Sequence, residues 1–358
     1  MASNHISLET EKLIAKIRSE QVPFKAHLEP IDSLWDKKLM INVAADGASA
    51  NRTMNPNIPY TTKEITQEVV DGYRAGASIW HMHQRDPVTG SAHMPPQRRV
   101  EIQKEWADSI FTSAPDIITC VGSNYVVPQR YFPGTLLVDP ESIMAENRMA
   151  PLIEPLIKLG PKNRYCEICI CLCRSFALGG TLISSFNPRI GVQSDIRYYE
   201  SRGIRIEISP FSTVDIEDLN EWVTDQGLAK PPVILDILMG VHNSSNPRPM
   251  MEAFEFMHTM RRMLHVPEGF LWQAIVGGRY WLPLAVEAIM LGADAVRVGM
   301  EDSVHMYPHK NDYVESNGKV IETVANIARY LGREVATPSE ARAILQLPQI
   351  PANKTAAS

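Results

Sequence analysis

The segment GFLWQAIVGGRYWLPLAVEAIMLGADAVRVGM, residues 269–300, contains the pattern that decides the fold. Short apolar runs at 269–276 and 295–300 flank a longer helical pattern at 281–291. A strand, a helix and a second strand in this order indicate βα units and a parallel sheet. The same alternation continues towards the N-terminus over most of the chain.

Eight strands are predicted, and eight helices with them, the first of which starts at Thr61 with Glu64 completing a capping box. Eight units favour an α/β fold of the closed (β/α)8 TIM barrel type over an open doubly wound sheet. The stretch VAADGASAN after the first strand lacks the G-x-G-x-x-G dinucleotide fingerprint. The predicted strands are 39–45, 77–83, 116–122, 165–173, 204–209, 233–240, 269–276 and 295–300. The other predicted helices are 96–112, 141–158, 192–202, 215–227, 249–264, 281–291 and 318–332, with a closing helix at 338–346.

Three regions are predicted along the chain. Residues 1–38 form a polar N-terminal extension that packs on the barrel or on a partner subunit, residues 39–347 form the catalytic barrel, and residues 348–358 form a flexible tail. The long loop at 123–140 is expected to be functional or to contact another subunit.

Composition excludes several classes of partner. The chain has 358 residues and a net charge of −6, which argues against nucleic acid or an anionic membrane as partner. No apolar run reaches the ~18 residues that a membrane span needs. The N-terminus has no signal peptide pattern, so a cytoplasmic protein with reduced thiols is expected.

Four of the five cysteines lie in the stretch CEICICLC, residues 166–173. A thiolate metal site or a redox pair is one interpretation, because Cys166 and Cys169 form a C-x-x-C. Strand alternation places Cys169, Cys171 and Cys173 on one face and Cys166 on the other, so four sulfurs would not converge. The pattern therefore favours a buried strand.

The ends of predicted strands 2 and 8 carry the candidate metal site. His81 and His83 are two residues apart on a strand, so both imidazoles can face one small cation. Glu301 follows strand 8 and would complete a site of two histidines and one carboxylate. The alternative is that both histidines are ordinary hydrogen-bonded residues.

Further polar residues follow the strands, where barrel active sites lie. Arg297 would pair with Asp302 and keep that carboxylate ionised, unless the pair is a structural salt bridge at the rim. Gly277 and Gly278 follow strand 7 and would bind an anion through backbone N–H groups, or form a tight turn. Glu207 would support the metal site or belong to a core layer, and His242 is a spare ligand candidate.

Three long stretches resemble the β-keto acid cleavage enzyme family. They are residues 55–90 with H-x-H-x-R-D, residues 203–241, and residues 272–302 with R-x-G-x-E-D. The resemblance implies a zinc-dependent barrel that combines a β-keto acid with acetyl-CoA to give acetoacetate and a new acyl-CoA, usually in a homo-oligomer (a dimer or tetramer). The Zn²⁺ would act as a Lewis acid that stabilises an enolate.

The resemblance also assigns roles to residues. It makes His81, His83 and Glu301 the zinc ligands and places catalysis on Arg297, Asp302 and Ser123. It places substrate contacts at Ser49, Arg85, Gly277 and Gly278. The family often has glutamate where Ser49 stands, so an aminated substrate is in question, although Asp46 could substitute.

Two other functions are compatible with the pattern. Metal-dependent hydrolases of the H-x-H type place that motif on strand 1 and add histidines from strands 5 and 6, whereas here it lies on strand 2. A non-catalytic metabolite-binding barrel would not need an acid–base pair beside a metal.

Overall fold

The computed structural model describes residues 7–20, 36–48, 50–122, 129–132, 135–138, 140–173, 176–177, 184–185, 187–240 and 250–350. The chain separates into two compact units, residues 1–36 and residues 37–358. In the first unit, helix α1 spans Leu8–Glu20 and has no buried residue.

Eight parallel strands of the second unit close into a barrel, as predicted, and each strand pairs with its neighbours in the chain until the last meets the first. All eight predicted strands are present, most of them shorter than their apolar runs. They are β1 Met40–Ala44, β2 Ile79–Met82, β3 Ile118–Val121, β4 Ile168–Leu172, β5 Arg205–Ser209, β6 Val233–Met239, β7 Phe270–Val276 and β8 Ala295–Val298.

The helices cover the outside of the barrel and form the main hydrophobic core against the strands. The predicted capping box is confirmed at Thr61, whose hydroxyl accepts from the N–H of Glu64 while the Glu64 carboxylate accepts from the Thr61 N–H. The helices are α2 Thr62–Ala75, α3 Pro96–Phe111, α4 Ala145–Arg148, α5 Ala150–Lys158, α6 Arg189–Ser201, α7 Thr213–Leu219, α8 Met250–Met263, α9 Trp281–Met290, α10 Asn317–Tyr330 and α11 Pro338–Ile344.

Two predicted helices differ from the structure. The prediction of one helix over 141–158 is wrong, because a 3₁₀ turn at Pro140–Ile143 and the helices α4 and α5 divide that segment. Pro151 stands at the start of α5 and lacks the N–H that would continue an earlier helix. The helix predicted at 215–227 begins as α7 and continues as a π-helical turn, Asn220–Asp225.

Two short β-hairpins were not predicted from the sequence. They pair Gln129–Phe132 with Thr135–Val138 and Phe176–Ala177 with Ser184–Ser185.

All five cysteines are free, buried thiols. The predicted placement of Cys166 is wrong: its Sγ lies 3.2 Å from Cys169 Sγ, because Cys166 precedes β4 and does not follow strand alternation. Cys169 and Cys171 pack in the outer core, as expected of a buried strand. Cys120 instead points into the barrel.

The barrel interior changes from apolar to polar along its axis. Apolar side chains such as Met40, Ile79 and Ile118 fill one level. A buried polar level contains Asn42, His81, Glu207, Asp236, Gln273 and Arg297. At the N-terminal end, α11 closes the barrel through Arg342, which donates to both carboxylate oxygens of Glu167 at 2.7 and 3.0 Å.

Among the described helices, none has both the length and the apolar character needed to cross a membrane.

Candidate metal and catalytic site

The two predicted histidine ligands point to the same place. His81 lies in β2 and His83 follows its last residue, so alternation directs both imidazoles inward. Their ring centroids are 4.8 Å apart and the rings are nearly perpendicular. The side chain of His81 is fully buried and that of His83 nearly so.

Glu301 reaches both rings from the turn after β8. One carboxylate oxygen lies 3.3 Å from His81 Nε2 and the other lies 3.2 Å from His83 Nε2. The Glu301 N–H donates to the carbonyl of Ala44 at 3.1 Å, so this turn is fixed against the end of β1. The prediction that two segments more than two hundred residues apart meet here is confirmed by these distances.

Two glycines make room for the ligand side chains. A Cβ on Gly122 would lie 2.3 Å from Cε1 and 2.6 Å from Nε2 of His83. A Cβ on Gly47 would lie 2.3 Å from Cγ of Glu301, and Gly47 has a φ of +69° that L side chains rarely adopt. Both positions were missed from the sequence, where glycines after strands also suit ordinary turns.

The three side chains fit a divalent cation. Their ligand atoms all lie within 4.8 Å of one another, and in the described part of the chain no other group of His, Cys, Asp or Glu meets that criterion. His81 Nε2 and Glu301 Oε2 are buried without a hydrogen-bond partner among the described residues. Unpaired buried acceptors are costly, and a cation between them would satisfy both.

The protonation of the group also suits a cation. Burial, with the Arg297 charge, lowers the pKa of His81 to about 3, so its imidazole is neutral near pH 7. Burial alone would raise the pKa of Glu301, but Arg297 and the two histidines together outweigh it and hold that pKa well below its usual value. A neutral imidazole and a carboxylate are the ligand forms that metals require.

Arg297 and Asp302 form the predicted ion pair. Arg297 Nε donates to one carboxylate oxygen of Asp302 at 3.1 Å, and Nη2 donates to the other at 2.9 Å. The same Nη2 donates to Glu301 at 2.9 Å, which joins the pair to the metal group. Arg297 favours the ionised form of Asp302, as expected, but burial outweighs it and raises the pKa of Asp302 to about 7, so the carboxylate is only partly ionised at neutral pH.

Arg85, a predicted substrate contact, has hydrogen bonds to the backbone of the loop after β1. It is fully buried, its Nε donates to the Gly47 carbonyl at 2.8 Å, and its Nη2 donates to the Ala50 carbonyl at 2.5 Å. These bonds fix the loop after β1, within which Ser49 lies. Arg85 therefore holds the carbonyls of Gly47 and Ala50 in place.

The paired glycines after β7 also have protein partners. The Gly277 N–H donates to the Met239 carbonyl and the Gly278 N–H donates to the Asp302 carbonyl, both at 2.8 Å. Both N–H groups that were predicted to bind an anion therefore already donate to backbone carbonyls. Gly278 instead holds the backbone of Asp302.

Three candidates, Ser49, Ser123 and His242, lie outside the described residues. Their predicted roles stay predictions.

Two other buried polar residues lie near the site: Asp46, which the sequence suggested only as a substrate contact, and Cys120, to which it gave no role. Asp46 follows β1, accepts from the His83 N–H at 3.5 Å, and has its pKa raised by burial to about 8 despite Arg85. Cys120 Sγ lies 3.6 Å from His81 Nδ1 and donates to Glu207 at 3.4 Å. Cys120 could have been recognised as a neighbour of His81, because the two residues are register partners in adjacent strands.

The fold and the site define a (β/α)8 barrel with a buried group that could hold a metal ion beside an arginine–aspartate pair. The chain belongs to the beta-keto acid cleavage enzyme family, whose model matches residues 38–347.

Named relatives and a solved structure agree with this assignment. A 3-keto-5-aminohexanoate cleavage enzyme of Fusobacterium nucleatum is 30% identical over 311 residues, covering 87% of this chain and 98% of its own length. A 3-dehydrocarnitine:acetyl-CoA trimethylamine transferase of Rhizobium meliloti is 25% identical and covers 87% of this chain and 97% of its own length. The structure of ObcA with oxaloacetate has the same fold, with a TM-score of 0.63 at 16% identity over 82% of this chain and 68% of that one.

Proposed function

We propose that this protein combines a β-keto acid with acetyl-CoA and produces acetoacetate and a new acyl-CoA. One observation carries the proposal: the buried group of His81, His83 and Glu301 is joined to Asp302 through a single arginine, Arg297. Family membership supports it, as do relatives named as 3-keto-5-aminohexanoate cleavage enzymes and acetyl-CoA-dependent transferases.

Zinc is the proposed cofactor, held by His81, His83 and Glu301. Two imidazole nitrogens and one carboxylate are ligands that zinc commonly takes in catalytic sites. When bound, the cation supplies a Lewis acid that polarises the keto group of the substrate and makes the adjacent carbon more acidic. The substrate must then approach from the strand ends, where Glu301 and Asp302 lie.

Asp302 is the proposed general base. It would take a proton from the carbon between the keto group and the carboxylate of the substrate, and return one to that carbon at the end. Arg297 fixes its carboxylate through two hydrogen bonds, and Gly278 holds its backbone. A base held at three points does not need to reorganise during proton transfer.

The remaining steps balance without a further reactant. The deprotonated carbon attacks the thioester carbonyl of acetyl-CoA, and the CoA thiolate moves to the keto carbon of the substrate. The bond between that keto carbon and the deprotonated carbon then breaks. Acetoacetate leaves with the acetyl group, and the rest of the substrate leaves as a new thioester of CoA. Ser123 is proposed to assist these steps and Ser49 to contact the substrate side chain.

Acetyl-CoA labelled with ¹³C in both acetyl carbons tests the proposal. The purified protein with zinc and a panel of β-keto acids should give acetoacetate labelled at carbons 3 and 4, together with a new acyl-CoA. The Asp302→Asn variant is the control that should give neither product. Free CoA and labelled acetate without a new acyl-CoA would mean that the protein is a hydrolase, and would refute the proposal.

The setting of the enzyme is also proposed. Its five buried free thiols suit a reducing compartment, which favours the cytoplasm. A homo-oligomer, either a dimer or a tetramer, is expected, with residues 1–38 as extension, 39–347 as catalytic barrel and 348–358 as tail. Light scattering of the purified full chain would give its mass, and a monomer would remove the oligomer from the proposal.

A further inference from the structure

We propose that Cys120 is a positioning residue that holds the His81 imidazole in place for the cation and links it to Glu207. This inference rests on the proposed metal site. It assigns a function to the one cysteine that points into the barrel.

The strand register brings Cys120 to His81. Ala44 of β1 is the register partner of His81 in β2, and His81 is the register partner of Cys120 in β3. His81 Nε2 faces Glu301, and the other ring nitrogen, Nδ1, lies 3.6 Å from Cys120 Sγ. The thiol therefore contacts the side of the ring that faces away from the cation site.

The hydrogen bonds have one consistent direction. An imidazole that binds a cation through Nε2 carries its proton on Nδ1, so Nδ1–H donates and the sulfur accepts. The thiol then uses its own proton to donate to Glu207 Oε2 at 3.4 Å. Each link has one proton and one acceptor, and the ring cannot rotate without breaking a link.

Glu207 is itself surrounded by a fixed polar level. The neighbouring strand β6 provides Asp236, whose carboxylate accepts from Ser209 Oγ at 2.5 Å and from Gln273 Nε2 at 2.9 Å. All four residues, Glu207, Ser209, Asp236 and Gln273, are fully buried. Asp236 and Gln273 also interact with the Glu207 carboxylate, so Cys120 links His81 to this buried polar group.

The choice of sulfur has a chemical consequence. Metal-binding histidines usually donate their second N–H to a carboxylate, a carbonyl or water, which raises the basicity of the ring. A thiol is a weak acceptor. Cys120 thus separates His81 from the buried carboxylate of Glu207 and keeps His81 a neutral ligand, which leaves more positive charge on the cation.

The test is a titration of the full-length protein, stripped of metal, with zinc against a chelator and without substrate. Cys120→Ala should weaken zinc binding by about 10- to 100-fold, as loss of such a supporting contact generally does. Cys120→Ser keeps a donor and an acceptor and should stay within about tenfold of the unchanged protein. Cys171→Ala is the matched control, since Cys171 is equally buried but packs in the outer core, and it should bind zinc normally.

A spectroscopic readout separates positioning from general damage. In zinc-loaded protein with ¹⁵N-labelled histidine, the Nδ1 signal of His81 should shift in Cys120→Ser and should stay unchanged in Cys171→Ala. The serine variant keeps this readout usable if the alanine variant does not fold. Unchanged zinc affinity in Cys120→Ala, an unshifted signal in Cys120→Ser, or equal losses in the Cys171 control would overturn the inference. Failure of the labelled acetyl-CoA assay alone would refute the proposed function and leave this inference standing.

Discussion

Gly122→Ala should remove the cation by moving one ligand while every ligand residue stays in the sequence. The added Cβ would lie 2.3 Å from Cε1 and 2.6 Å from Nε2 of His83. Carbon atoms in contact normally lie about 3.5–4.0 Å apart, so the ring must move by about 1 Å or more. Zinc–nitrogen bonds are about 2.0–2.1 Å long and tolerate deviations of about 0.2 Å. We therefore expect zinc affinity to fall by about 100-fold, the upper end of the loss that a disturbed ligand orientation causes.

The matched control is Gly72→Ala, the same chemical change within α2. Its Cβ would lie 3.2 Å from Cγ2 of Val43 and meet no predicted ligand. Overpacking of this kind costs about 1–3 kcal/mol at most sites, so both variants should fold. Chelator competition measures the affinities, and thermal unfolding checks the fold. A folded Gly122→Ala variant with unchanged zinc affinity would refute the proposed orientation of His83.

Three further results are expected. His83→Ala should lose most of its zinc in an elemental analysis of the purified protein, and full zinc content would remove His83 as a ligand. Asp302→Asn should keep zinc but lose at least about 100-fold in turnover, the effect of removing a general base, and near-normal turnover would exclude that role. Glu64→Gln should flatten the pH dependence of stability. Burial alone would raise the pKa of Glu64, but hydrogen bonds from Thr61 and Tyr60 lower it to about 2. The stabilisation is thus present above about pH 4.5 and lost as pH falls towards 2. Urea unfolding of both proteins between pH 5 and 3 measures this, and parallel curves would contradict it.

Most of the barrel was predictable because its strands are buried on both faces and consist mainly of apolar residues. A run such as VILDILMG, residues 233–240, is continuous in the sequence and becomes a buried strand, Val233–Met239. The meeting of His81 with Glu301 was predictable for a related reason, since parallel strands of a barrel end at one rim. Helix boundaries were less accessible, because Pro151 can begin a helix as well as interrupt one.

The remaining site properties depend on burial and on close approach. The closeness of Arg297 and Asp302 in the sequence predicted their ion pair, but the depth of burial that raises the pKa of Asp302 cannot be read from the sequence. Arg85 stands in the H-x-H-x-R-D motif, yet its guanidinium turns to the carbonyls of Gly47 and Ala50. The role of Gly122 follows only from the position of the His83 ring.

Anomalous diffraction at the zinc edge, from crystals grown with zinc, tests the central claim most directly. We expect one strong peak per chain, about 2.0–2.2 Å from a ring nitrogen of His81, a ring nitrogen of His83 and a carboxylate oxygen of Glu301. A zinc peak elsewhere in the barrel, or a Glu301 side chain turned away from both rings, would contradict it.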